Sequence, residues 1–558
     1  MKHIDAAAHT RGESEYVDDV RPPAGMLHAA VFPSPVAHGA IATLDLEAAR
    51  AADGVAAVLS AADIPGENQI GTIIRDEALL AEEEVHFAGQ PVAVVVAESP
   101  EAARRARRAI RIDILEKPAI TEPREAYARG QIIDQPQVFE LGDVDAAWAD
   151  CDVVVEGSCD IGGQEHVYLE TQRARAVPLE GPNMRVHAST QSPTAIQKTV
   201  ASVLGVASHC IEVDVKRLGG GFGGKEDQAT AWSCLAALAA RVTGSPVELV
   251  LDRAEDTLMT GKRHPYQSDF KLGLKADGEL VAFQAWHYQN SGSAADLSTP
   301  VRARTLFHGT NSYYIPHVRM MAVCCRTHLP PNTAFRGFGG PQGMFVIESA
   351  LAKAADVMGV SRDALQRRNL LREGDEFPYG QRAEAARAER CWDEATQAFD
   401  LAATAERVAR YNRQEMASKK GYAVMPICFG ISFTATHLNQ ASALVHIYID
   451  GSVSVSTGGV EMGQGLSTNI AAITARSFGI EPRRVKVEST NTTRTANMSA
   501  SAASAQTLLN GNATLLAVQQ ITDRLKRHVA GKLETDPERI EIRDETVFAG
   551  GEDSGWTW

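Results

Sequence analysis

At 558 residues the chain is too long for a single hydrophobic core and divides into several domains, each able to bury a sizeable apolar interior. Its 70 Asp and Glu outnumber 55 Lys and Arg, which argues against a nucleic-acid partner, because affinity for phosphate backbones depends on clustered cations. The first ten residues carry no apolar leader and no stretch reaches the roughly 20 apolar residues needed to cross a bilayer, so a cytoplasmic protein with no membrane contact is expected.

Strands are predicted at 85–87 and 91–97, a helix at 100–108 with Ser99 placed to cap it, and a strand at 109–115. Together they make a small α/β unit over residues 1–118. The run Arg104-Arg105-Ala106-Arg107-Arg108 reads as a solvated helix face. Residues 119–137 are rich in Pro, charge and turn formers and read as a linker. In the region 138–372 strands at 153–155, 185–188 and 210–215 alternate with helices at 194–204 and 227–242. A second linker is expected at 373–392, which is polar and contains Gly374, Pro378 and Gly380. In the last region, 393–558, Asp450-Gly451 between strands at 443–449 and 452–456 is a hairpin signal, and helices follow at 468–478 and 509–530. Eight cysteines are scattered with no Cys-x-x-Cys spacing, so neither an iron–sulfur cluster, a zinc site nor a disulfide framework is expected of them. Most should be buried as small hydrophobes.

Three glycine-dense runs stand out: 219–226 (Gly-Gly-Gly-Phe-Gly-Gly-Lys-Glu), 334–342 (Ala-Phe-Arg-Gly-Phe-Gly-Gly-Pro-Gln) and 458–465 (Gly-Gly-Val-Glu-Met-Gly-Gln-Gly). Glycine costs backbone entropy, so such runs imply tight turns or close approach to a ligand. The first run joins a strand to a helix and formally matches a dinucleotide fingerprint. Against that reading, the next strand offers no well-placed ribose-binding acid and Phe222 fills the turn. It also resembles the start of a phosphate loop, but Glu226 stands where Ser or Thr should hold magnesium, and a carboxylate there repels phosphates. Three runs, each presenting Phe, Arg, Glu or Gln, favour one site assembled from distant loops over three unrelated turns.

These runs, with Gly-Gln-Glu-His-x-Tyr-Leu-Glu (163–170) and Phe-Gly-Ile-Ser-Phe-Thr (429–434), resemble the molybdenum-binding subunit of the xanthine dehydrogenase and aldehyde oxidase family. The resemblance runs in order from about Thr10 to the end of the chain. It implies an α+β fold: an N-terminal hammerhead-like α/β domain, then two elongated mixed α/β molybdopterin-binding domains, the second incomplete. It also implies a molybdenum–pyranopterin cofactor with a sulfido ligand, no direct protein ligand to the metal, and hydroxylation of an electron-poor carbon with oxygen from water. A partner subunit carrying [2Fe–2S] clusters and FAD is implied as electron acceptor, in a dimer of heterodimers.

By the same resemblance, Gln191 bonds a molybdenum oxygen, the backbones of Phe222, Arg336 and Ala503 approach the metal, and Gln464 and Ser504 hold the pterin. A flat purine has two faces for aromatic rings, so Phe338 and Phe433 are the expected sandwich. Glu226 would meet the ring nitrogens, Arg304 would stabilise negative charge building on the heterocycle, and Thr434 adds a hydroxyl. The family's general base is a glutamate in a Gly-x-Gly-Glu-Pro-Pro-like segment that this sequence does not contain. Gly550-Gly551-Glu552-Asp553 resembles it superficially, lacks the prolines and a preceding strand, and reads as a polar turn. The chain as given is therefore expected to be incomplete and inactive alone. An aldehyde or N-heterocycle hydroxylase, or a non-catalytic remnant, are the alternative readings.

Overall fold

The structure, a computed structural model, describes residues 3–558. An eight-stranded mixed sheet forms its spine, in the order Thr490–Asn491, Ile211–Val215, Met184–Ala188, Arg173–Pro178, Val247–Val250, Leu27–Pro33, Pro91–Ala97, Val55–Leu59. Three regions far apart in sequence contribute to it. Leu27–Pro33 is the seam: it runs antiparallel to Pro91–Ala97 and parallel to Val247–Val250. Every residue of Pro91–Ala97 is buried, and that run is apolar throughout, as a strand covered on both faces requires. The helix Pro100–Arg107 packs beside it, started by Pro at its first position and by Ser99, whose Oγ accepts from Ala102 N at 3.2 Å. Its basic face is only partly solvated. Arg107 pairs with Glu255 and donates to Val31 O at 3.0 Å.

The helices Pro193–Leu204 and Ala229–Thr243 cover one face of this sheet, and their apolar residues share one core with Val94, Val186 and Leu249. Ala229–Thr243 is alanine-rich, which lets it approach the strands closely.

A five-stranded sheet, ordered Gln137–Leu141, His317–Arg326, Leu280–Gly292, Tyr266–Leu274, Val153–Ile161, is backed by Gly340–Met358 and by Ser298–Phe307. Residues 119–137, expected as a linker, carry the helix Pro123–Ala128, whose Ala126 is fully buried against Val323 and Cys325. Arg124 there forms a two-point pair with Asp269 on the neighbouring strand. In 373–392, Phe377 is buried and its amide donates to Gln381 O at 2.8 Å. Both segments look polar because their few apolar residues are spaced irregularly.

In the last region the hairpin around Asp450-Gly451 forms as expected, between Ala443–Ile447 and Val453–Thr457, with Gly451 at φ 77°. The helices Leu466–Phe478 and Gln506–Leu533 pack on it. The strand Thr546–Ala549 precedes Gly550-Gly551, and Glu552 opens a further strand, Glu552–Thr557. The absence of a preceding strand is thus corrected: Gly550 and Gly551, at φ 64° and 89°, turn a hairpin whose exposed far strand begins with Glu552. Five cysteines, among them the vicinal Cys324 and Cys325, are buried and unpaired. Among the described residues no helix is long and apolar enough to cross a membrane.

Leu249 is fully buried at the seam, paired with Ala29 on one side and Ala174 on the other. Leu249→Ala is expected to lower stability by about 2–5 kcal/mol, read by urea unfolding. Because the sheet is continuous across the seam, the N-terminal unit and the region that follows should unfold together, and a separate early transition of the first 118 residues would count against that coupling.

Candidate functional site

The three glycine-rich runs converge. Leu218 N donates to Glu461 O at 2.9 Å, joining the first run to the third, and Arg336 N donates to Phe222 O at 2.9 Å, joining the first to the second. The segment 429–432 closes the ring, with Ser432 N on Ala503 O at 2.8 Å. Glycine is needed at these contacts. A Cβ on Gly223 would lie 2.8 Å from the backbone of Ala334, and one on Gly221 would lie 2.5 Å from Gln191 Oε1.

Gln191 follows the strand Met184–Ala188 and is buried. Its Oε1 accepts from Gly223 N at 2.9 Å and its Nε2 donates to Ser501 O at 3.0 Å. One Nε2 hydrogen is left for a ligand.

Phe222, Phe338, Ser432, Asn497, Ala503 and Ser504 all have φ between 50° and 76° without being glycine. Such conformations persist only where surrounding contacts enforce them, and they gather at ligand sites. Among the described residues no backbone carbonyl accepts from the amides of Phe222, Ala503 or Ser504. Gln464 is exposed and its amide is spent within its own loop, Nε2 on Val460 O at 2.8 Å and Oε1 on Met462 N at 2.7 Å. The Arg336 side chain, Ser504 and Thr434 are exposed.

Arg304 lies in the last turn of Ser298–Phe307, buried at 5 % exposure, and burial lowers its pKa. Its two terminal nitrogens donate to Gly430 O and Ser432 O, and its guanidinium sits 5.3 Å over the Phe429 ring. Gly339, next to Phe338, packs close against the same helix, since a Cβ on it would lie 2.2 Å from Val301 O. Phe433 is held by Asn439, which accepts from Phe433 N and donates to Phe433 O, both at 2.9 Å.

Glu226 is buried, and desolvation, with Asp227 and Asp296 adding negative charge, holds its carboxyl well above 4.5. Asp227 and Asp296 are raised for the same reason. Asp227 and Asp296 border a cavity of about 410 Å³, lined also by Asp76, Glu77 and Trp232.

Sequence patterns match over nearly the whole chain. The Molybdopterin cofactor-binding domain families match residues 127–370 and 394–558, and the "Aldehyde oxidase and xanthine dehydrogenase, a/b hammerhead domain" matches residues 11–118. The Xanthine dehydrogenase/oxidase of Mus musculus is 40% identical over 527 residues, 94% of this chain and 39% of that protein. The Xanthine dehydrogenase of Dictyostelium discoideum is 38% identical over 526 residues, again 94% and 39%. The Aldehyde Oxidoreductase structure from Desulfovibrio gigas superposes with a TM-score of 0.84 at 26% identity, over 93% of this chain and 59% of that one. The chain belongs to the aldehyde oxidase and xanthine dehydrogenase family of molybdopterin-binding proteins. It spans about two-fifths of the length of the relatives named from Mus and Dictyostelium.

The residues at the convergence fit the family's cofactor. Uncommitted amides on loops of positive φ, and glycines where a Cβ would collide, are what a bulky anionic group held by backbone requires. Missed from the sequence was the device that holds the first loop. Lys225 is wholly buried, and its Nζ donates to Glu170 O and Ser189 Oγ, both at 2.7 Å, beside Glu170 Oε2 at 3.4 Å. Glu170 Oε2 also accepts from Gly219 N at 2.8 Å. Burial lowers Lys225 to about 8. The lysine that mimicked a phosphate-loop residue thus braces the loop from behind. Its partner lay in the 163–170 motif, but nothing in the spacing connects the two. His166 is a second such brace, with Nε2 2.7 Å from Ala334 O.

Removing one member of a buried charged pair strands the other, so Lys225→Met should destabilise by about 3–5 kcal/mol in denaturant unfolding. Glu226 makes the opposite contribution to pH dependence. Its folded pKa is raised above 4.5, so its stabilisation is present below that value and is lost as pH rises through the folded pKa. Glu226→Gln should flatten the decline of unfolding free energy with rising pH, measured from pH 4.5 upward. An unchanged pH profile would contradict the assignment.

Proposed function

We propose that this chain is the molybdopterin-binding part of a xanthine dehydrogenase, which hydroxylates hypoxanthine and xanthine to urate with oxygen from water. Electrons would leave to a partner carrying [2Fe–2S] clusters and FAD, in a cytoplasmic dimer of heterodimers. The observation that supports it is a buried carboxyl of raised pKa on the first glycine loop and a buried guanidinium clamped by the 429–432 segment that closes the same ring of loops. When bound, the sulfido-ligated molybdenum cofactor supplies the two-electron hydroxylation chemistry.

The chain's own residues bind and orient. When the cofactor is bound, the amides of Phe222 and Ala503, the Arg336 backbone and the spare Nε2 hydrogen of Gln191 would face the metal centre, and Ser504, with Gln464 once its amide turns from Val460 O and Met462 N, would hold the pterin. Phe338 and Phe433 cover the purine's faces. Burial, with Asp227 and Asp296 adding negative charge, raises the Glu226 pKa well above 4.5, which favours the protonated carboxyl that can donate a hydrogen bond to an acceptor on the purine edge. Arg304, whose terminal nitrogens are already clamped to Gly430 and Ser432, offers its remaining N–H groups to negative charge developing on the heterocycle. Clamping matters because a preorganised cation needs no rearrangement when charge appears. Thr434 adds a hydroxyl at the rim.

An aldehyde presents neither a polar ring edge nor ring-delocalised charge. In the assembled holoenzyme, Arg304→Met and Glu226→Val should therefore lower kcat/KM for xanthine about a hundredfold or more, roughly 3 kcal/mol in the transition state. Oxidation of a small aromatic aldehyde should change far less. Equal losses on both substrates would return the two residues to a structural role and favour an aldehyde hydroxylase.

A further inference from the structure

Away from the loop convergence, a small sheet at the rim of the N-terminal unit gathers three metal-ligating side chains. The strand Gly39–Asp45 pairs antiparallel with Glu84–Val85, placing Gly39 opposite Val85 and Ala40 opposite Glu84, and pairs on its other edge with Arg111–Glu116. Continuing that register sets His38 across from His86, with Glu84 on the same face as His86, two residues earlier. One ligand atom each from His38, Glu84 and His86 lie within 4.8 Å of one another.

The hydrogen bonds of His38 point to a cation. Its Nδ1 is 2.8 Å from Pro118 O and its Nε2 is 2.8 Å from Glu84 Oε1. Both neighbours are acceptors, and a neutral imidazole carries one N–H. With Nδ1–H donated to the carbonyl, the Nε2 lone pair is left facing a carboxylate. A divalent cation between them removes the conflict, and an imidazole whose far N–H is held by a carbonyl is how proteins commonly orient a ligating histidine. His328 lies against His38 with ring centroids 3.8 Å apart and planes tilted by 30°, and its Nδ1 accepts from Ile120 N at 3.0 Å, so it walls one side. Glu84 and His86 also line the cavity that Asp227 and Asp296 border.

We propose that His38, Glu84 and His86 bind a divalent transition-metal cation, with zinc the best match to two imidazoles and one carboxylate, and with water in the remaining position. Lys117 Nζ, 3.0 Å from Glu84 Oε1, is the competing cation, and its half-exposed side chain is free to swing out. Metal here would clip the strands of the small sheet to the chain at 117–120.

The test is calorimetric titration of the full chain with zinc after chelator treatment, with cobalt absorption as a readout of coordination. We expect one equivalent bound, weakened in His38→Gln and in His86→Asn by more than the roughly 10–100-fold typical of losing an outer-shell partner. Lys117→Gln should tighten binding. His86 is exposed, so its variant keeps the fold and decides the question even if His38→Gln does not fold. No zinc bound by the wild type, or binding unchanged in His86→Asn, overturns the proposal.

Discussion

Four hydrogen bonds around one residue hold the site together. Gln191 uses its side-chain amide on Gly223 N and Ser501 O, while its backbone donates to Lys225 O at 2.8 Å and accepts from Ser501 N at 2.8 Å. It therefore fixes the loop at 219–226 and the segment near 501 against each other, although these lie almost 300 residues apart in sequence. Gln191 follows the C-terminal end of the Met184–Ala188 strand, so the main sheet sets where the loops meet. The glycines then let backbone come within contact distance, and the positive φ angles of Phe222, Ala503 and Ser504 follow from that enforced approach.

The first loop is held between two opposite electrostatic surroundings. Behind it Lys225 is desolvated but has Glu170 and Ser189 as partners, so its charge stabilises the turn. One residue later Glu226 is desolvated near Asp227 and Asp296, and its carboxyl is pushed well above 4.5. Adjacent residues thus serve opposite ends. One supplies rigidity through a satisfied buried charge, and in the other burial and like charges disfavour the charged form. The cost of burying both is carried by the large continuous core beneath the sheet.

The long motifs were legible in the sequence because glycine and aromatic residues cannot be exchanged where backbone must turn tightly and a side chain must project. The strand at 91–97, the cap at Ser99 and the Asp450-Gly451 hairpin were legible too, since each depends on contacts within a few residues. The helix within 119–137 was not, because Ala126 gains its burial from Val323 and Cys325, distant in the chain. The strand before Gly550-Gly551 escaped notice for a similar reason: its pairing with Ile540–Arg543 and Glu552–Thr557 makes it, and the local run is too short to announce itself.

What the sequence by itself determined is the family, the order of its domains and the set of loops that make the site, because these follow from residue types at close spacing. What only the tertiary structure decided is how those residues are charged and committed. That Lys225 braces Glu170, that Arg304 is clamped by the carbonyls of Gly430 and Ser432, and that the Glu226 carboxyl is pushed well above 4.5 all depend on burial and, for the first two, on partners tens to hundreds of residues away. Desolvation and long-range pairing are properties of the packed molecule, and no local stretch of sequence carries them.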